Sequence, residues 1–174
     1  MKKIMFNDKY LLTKAVLAGT KTMTRRVLRD NVPLGNWEET KKHLPYKVGE
    51  VVAIAQQYKE LYCRDDVRVK FNPFFYMTES AGWNNKLFVE SQYMKHHIRI
   101  TDIKAERLRD ISEEDALREG IFKLASGYYY LPNGGDGAFS TPRRAFAYLI
   151  DKVSNKGTWE SNPWVAAYSF ELVD

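Results

Sequence analysis

The apolar residues of this chain come in strand-length pieces, and that limits what the chain can build. "VVAIA", "VRVKF", "FFYM", "KLFVE", "HIRITDI" and the closing "WVAAYSFELV" are short runs or alternations bounded by turn residues. In "HIRITDI", Ile98, Ile100 and Asp102 fall on one face and Arg99, Thr101 and Ile103 on the other. In the closing run, Trp164, Ala166, Tyr168, Phe170 and Leu172 alternate as one face. Gly49, Asn72-Pro73 and Gly82-Trp83-Asn84-Asn85 supply the turns between pieces.

Helix signals are fewer. Asn7 or Asp8 can cap a first helix whose apolar stripe is Leu11, Leu12, Ala15 and Val16, with Gly19 as its stop. In "DISEEDALREG", Ser112 caps, Asp115 stands three residues on, acidic residues fill the first turn and Gly120 ends it. Thr141 and Pro142 open another helix, with Phe146, Leu149, Ile150 and Val153 at helical spacing. "RDNVPLGNWEETKKHLP" reads as a polar loop and "GYYYLPNGGDGAFS" as an exposed loop or hairpin tip. Five to seven short strands with two or three helices, and no repeat or composition break, predict a single α+β domain over 1–174. Its simplest form is a small, partly closed, mixed β-barrel flanked by two or three short helices.

No apolar run approaches the roughly 20 residues of a membrane span, and the start lacks the apolar core of a signal peptide. Cys63 is the single cysteine, which suits a reducing cytoplasm and an inert thiol. His43, His96, His97 and Cys63 show no ligand spacing, so no metal is expected. "GGDG" lacks the Lys-Ser/Thr of a phosphate-cradling loop, so no cofactor is expected either. Twenty-seven basic against 22 acidic residues leave a net charge of +5, which fits a phosphate-bearing partner: a nucleoside, nucleotide or RNA.

The densest chemistry lies in "AGTKTMTRRV", residues 18–27. A Thr hydroxyl becomes a nucleophile when a base takes its proton, and Lys is such a base if its pKa is depressed. Arg25, Arg26 and burial would all push Lys21 toward the neutral form. Lys21 and Thr24 would face opposite ways on a regular strand, so a shared site requires a turn, which Gly19 permits. The plain alternative is a solvated strand and turn, with Arg25 and Arg26 in surface ion pairs.

The pattern Gly19-x-Lys21-x-x-Thr24-x-Arg26 after a short helix resembles the signature of the ASCH domain family, a branch of the PUA-like superfamily. "YKVGEVVAI", "ITDIKAERLRDISEEDALREG" and "WESNPWVAAYSFEL" resemble further pieces of that family in the same order. Residues 56–95 and 122–140 fall outside the resemblance and read as elaborations. The resemblance implies a small β-barrel that binds RNA or modified bases. It also implies likeness to a bacterial group that hydrolyses N4-acetylcytidine with a Lys, a Thr and a Glu, which fall on Lys21, Thr24 and Glu119. Thr24 would then be the nucleophile, Lys21 its base, and Glu119 a group that orients substrate or shuttles a proton. The Gly19-Thr20 turn would offer backbone amides to an oxyanion, while Arg25 or Arg26 held a phosphate or base carbonyl. An ionised Glu119 beside Lys21 would oppose the base role by raising its pKa. The alternative is a non-catalytic RNA- or nucleotide-binding module, phage-linked or regulatory, in which Lys21, Arg25 and Arg26 contact phosphates.

Overall fold

The computed structural model describes residues 1–62 and 78–173. Its strands are β1 (Lys3–Ile4), β2 (Met23–Val27), β3 (Val51–Ile54), β4 (His97–Arg107), β5 (Phe122–Lys123), β6 (Tyr129–Tyr130) and β7 (Trp164–Leu172). The α-helices among the described residues are α1 (Leu12–Leu17), α2 (Trp37–His43), α3 (Tyr58–Tyr62), α4 (Glu113–Arg118), α5 (Pro142–Val153) and α6 (Thr158–Ser161). The class is α+β, as expected, with a mixed sheet and short helices. The chain divides into two units interleaved in sequence. One comprises Met1–Phe6, Val51–Ile98 and Val173–Asp174, and the other Asn7–Glu50 and Arg99–Leu172.

In the first unit β1 pairs parallel with β3, in the register Lys3 to Ala53 and Ile4 to Ile54. Gly49, at φ +82, makes the turn ahead of β3, and Val52, Ala53, Ile54 and Ala55 are completely buried, as the continuous apolar run predicts. Leu61, Val89 and Met94 close over Ala53 and Ala55, with Tyr58 packed against them. The Lys3 ammonium donates to the carbonyls of Lys86, Leu87 and Val89, tying that loop to the strand. "KLFVE" therefore forms a 3-10 turn at Lys86–Phe88 instead of a strand, capped by the Asn85 side chain. "VRVKF", "FFYM" and Cys63 lie outside the described residues, as does part of the 56–95 segment.

In the second unit β4, β7 and β2 are neighbours in that order, and β2 pairs antiparallel with β7, Thr24 facing Tyr168 and Arg26 facing Ala166. β7 runs between two strands and is buried on both faces from Val165 to Phe170, more than a one-faced alternation foresees. Along β4, Ile98 and Ile100 are buried, but the next buried residue is Ile103, while Asp102 is exposed. The inward face thus shifts by one residue after Thr101. The α1 helix begins later than its stripe implies: Leu11, at φ 54, precedes it without a side-chain cap, and the Asn7 carboxamide accepts from Tyr10 N in the turn before. The "polar loop" contains α2, capped by Asn36 accepting from Glu38 N at 2.9 Å. Two helices match their sequence signals closely: Ser112 accepts from Asp115 N, and Thr141 accepts from Arg144 N with Pro142 in the first turn. β5 and β6 pair as a hairpin, so the stretch read as an exposed loop or hairpin tip supplies a strand at Tyr129–Tyr130.

Candidate active site

Lys21 lies between α1 and β2, where Gly19 at φ +72 turns the chain out of the helix. That turn brings Lys21 against the end of α4. Its ammonium donates to the Glu119 carboxylate at 2.6 Å, to the Glu119 carbonyl at 2.9 Å and to the Met23 carbonyl at 2.8 Å. One lysine thus satisfies an orphan carbonyl at a helix C-terminus and pairs with the side chain there. Both residues are buried, at 2% and 3% exposure. Burial pushes the Lys21 pKa below its ordinary value and outweighs the opposing pull of Glu119; Arg26 and Arg25 add to the lowering. The conflict between carboxylate and base therefore resolves in favour of desolvation.

Gly120 makes this junction possible. It adopts φ +101, and a Cβ there would stand 3.2 Å from Pro132 Cγ and 3.5 Å from Lys21 Cβ. Gly120→Ala should lower unfolding stability by about 1–3 kcal/mol, from the left-handed backbone and the crowding together. A urea titration read by circular dichroism checks this.

The two adjacent arginines do different work, because strand alternation sends them to opposite faces of β2. Arg25 is held on one face by three carboxylates: Glu106 (2.9 and 2.6 Å), Asp115 (2.9 Å) and Glu119 (3.1 Å). Its guanidinium also lies 5.9 Å from the centroid of the Phe146 ring. Expected to meet substrate or phosphate, Arg25 is instead buried and engaged by these carboxylates. Its link to Glu119 orients that carboxylate from the side opposite Lys21.

Asp115 collects Arg25, Lys104 at 2.8 Å and Arg118 at 3.4 Å. Its backbone N–H completes the Ser112 cap, while its carboxylate serves the cations. Burial pushes the Asp115 pKa up, but the hydrogen bonds from Lys104 and Arg25 outweigh it and hold the carboxyl below its ordinary 3.8. A depressed folded pKa contributes stability above the unfolded value and loses it as pH falls through the folded one. Thermal melts should therefore show wild-type stability falling below about pH 4, and Asp115→Asn should flatten that fall.

Thr24 and Arg26 share the other face of β2. Thr24 is 5% exposed, and its hydroxyl makes no hydrogen bond among the described residues, to Lys21 or otherwise. Arg26 is half-buried and lines a cavity of about 550 Å³ with Tyr46, Tyr168, Leu44, Ala166 and others. Burial lowers the Arg26 pKa against the pull of Tyr46 and Glu119. The structure thus joins Lys21 directly to Glu119 and sets Thr24 beside Arg26. The amides of Gly19 and Thr20, expected at an oxyanion, donate to the carbonyls of Val16 and Ala15 at 3.0 and 2.9 Å. They close α1 and are already occupied.

Sequence reasoning missed Glu106, Asp115 as an ion-pair partner, Tyr46 and Tyr168. A signal existed for Tyr168, which alternation puts on one face with Ala166, but none linked Arg25 to carboxylates 81 and 90 residues away.

No protein-family model matches the sequence, and no curated protein matches it. Among solved structures, the chain is similar to an ASCH domain from Lactobacillus crispatus JV V101, at 14% identity and a TM-score of 0.46, over 95% of this chain and 72% of that one. It is also similar to a DUF984 protein from Enterococcus faecalis V583, at 14% identity and a TM-score of 0.44, over 94% and 67% of the two chains.

Proposed function

We propose that this protein is an ASCH-type amidohydrolase of N4-acylated cytidine or a related modified nucleoside. The observation that carries this reading is the buried Lys21–Glu119 contact at 2.6 Å, in which burial lowers the Lys21 pKa. Burial disfavours the charged ammonium, the direction that a lysine general base at neutral pH requires.

As an ammonium, Lys21 has donors for each of its three acceptors and no lone pair to offer. Burial favours the neutral amine, which has one. The amine then takes the Thr24 proton, directly or through a water, as the hydroxyl oxygen attacks the acyl carbon. Glu119 relays that proton from the Lys21 ammonium to the departing N4 amine as the C–N bond breaks, leaving an acyl ester on Thr24. Water, activated by the same pair, hydrolyses that ester to acetate and restores the hydroxyl. Arg25 is a positioning residue that fixes Glu119.

The direct test is incubation with N4-acetylcytidine and separation of the products. Stoichiometric cytidine and acetate are expected, and intact substrate after prolonged incubation would overturn the reading. One observation favours a second reading, that of a non-catalytic nucleotide- or RNA-binding module: Arg26, Arg29 and His43 all line one cavity. That reading predicts binding that weakens steeply with salt and yields no product.

A further inference from the structure

Tyr168 is completely buried, and its hydroxyl has no hydrogen-bond partner among the described residues. An unsatisfied buried hydroxyl is costly, and a ligand atom that pairs with it recovers that loss. Tyr168 lines the cavity of about 550 Å³, a size suited to a small organic ligand. Tyr46, half-buried, meets the Tyr168 ring edge-to-face at 5.4 Å and also lines the cavity. Leu44 and Ala166, both buried, add apolar wall. The basic lining is graded: Arg26 is half-buried, while Arg29 and His43 are exposed.

We propose that this cavity binds a nucleoside 5′-monophosphate, its base against Tyr46 and Tyr168 and its phosphate held by Arg26, Arg29 and His43. The proposal deepens the amidohydrolase reading and rests on it for the reaction: the substrate is the nucleotide form of the acylated cytidine. The half-buried Tyr46 ring beside one unsatisfied hydroxyl suits a planar heterocycle with polar edges. A planar guanidinium pairs with phosphate through two parallel hydrogen bonds, and the exposed basic groups meet a charge that stays near water. Burial pushes the Tyr168 pKa up, so the phenol stays neutral and both donates and accepts.

Isothermal titration of the full chain with cytidine 5′-monophosphate, cytidine and inorganic phosphate tests this. The monophosphate should bind at least about 10-fold more tightly than either fragment. Tyr168→Phe removes a group the fold does not pair, so it should leave the melting temperature unchanged or raised while weakening the monophosphate about 2- to 10-fold. Arg29→Ala should narrow the gap between monophosphate and cytidine. Equal binding of cytidine and monophosphate overturns the proposal, as does phosphate binding as tightly as the nucleotide. Binding of RNA without binding of the monophosphate also overturns it. Hydrolysis of N4-acetylcytidine with no phosphate preference sinks this proposal and leaves the amidohydrolase reading; monophosphate binding without hydrolysis does the reverse.

Discussion

Arg25→Met should destabilise the protein by about 3–5 kcal/mol, because it leaves three carboxylates facing a space from which their cation has gone. Glu106 and Asp115 would still have Lys104, at 3.2 and 2.8 Å, but Lys104 is 44% exposed and its pull is weakened by solvent. Glu119 would keep the hydrogen bond from Lys21. At roughly 2–4 °C per kcal/mol for a chain of this size, the melting temperature should fall by about 6–20 °C. Arg26→Met should cost far less, since its side chain is half-buried at a cavity. Two adjacent residues of one type would then differ severalfold in their effect on stability, and differential scanning calorimetry reads the contrast directly. Equal losses would contradict the division of labour across β2.

Glu119→Gln should lower kcat for N4-acetylcytidine by about 10²- to 10⁴-fold, the usual range for general acid-base catalysis. The amide keeps one acceptor oxygen, for Lys21 or for Arg25, turns a donor toward the other, and cannot take up and return a proton. KM should change little, since the proposed contacts to the nucleoside lie at Arg26, Tyr46 and Tyr168. The wild-type rate should also rise with pH through an inflection below the ordinary lysine value of 10.5, because burial lowers the Lys21 pKa and the reaction uses its neutral form. In Glu119→Gln the carboxylate no longer opposes deprotonation, so that inflection should move further down. A merely structural Glu119 would lower stability and leave the pH profile of the remaining activity where it was.

How much of this was legible beforehand depends on how local each feature is. The Ser112 and Thr141 caps, the Gly19, Gly49 and Gly120 turns and the buried Val52–Ala55 run all follow from neighbours in sequence. The α2 helix also announced itself, with Asn36 ahead of an acidic first turn and a basic last turn, but Pro33, Gly35 and Pro45 around it read as loop. "KLFVE" has strand composition, yet its carbonyls are claimed by Lys3, more than eighty residues away in the chain.

The site divides along the same line. Alternation on β2 required Arg25 and Arg26 to part company, though which face carried the carboxylates was decided by β4 and α4. Lys21 and Glu119 were paired by resemblance, and their contact at 2.6 Å depends on a turn 98 residues before the helix end it meets. The resemblance did not foretell that the Gly19 and Thr20 amides would be occupied by α1, nor that Thr24 would sit with Arg26 on the cavity face of β2.

The Thr24→Ala variant tests that placement of Thr24. The substitution removes a hydroxyl that makes no hydrogen bond among the described residues, so folding should be preserved. The decisive measurement is the initial rate of cytidine release from N4-acetylcytidine by wild type and Thr24→Ala, at matched concentration and with matched melting curves. A Thr24 nucleophile predicts release by wild type and a loss of at least about 10²-fold in the variant. Equal release by the two proteins would contradict it.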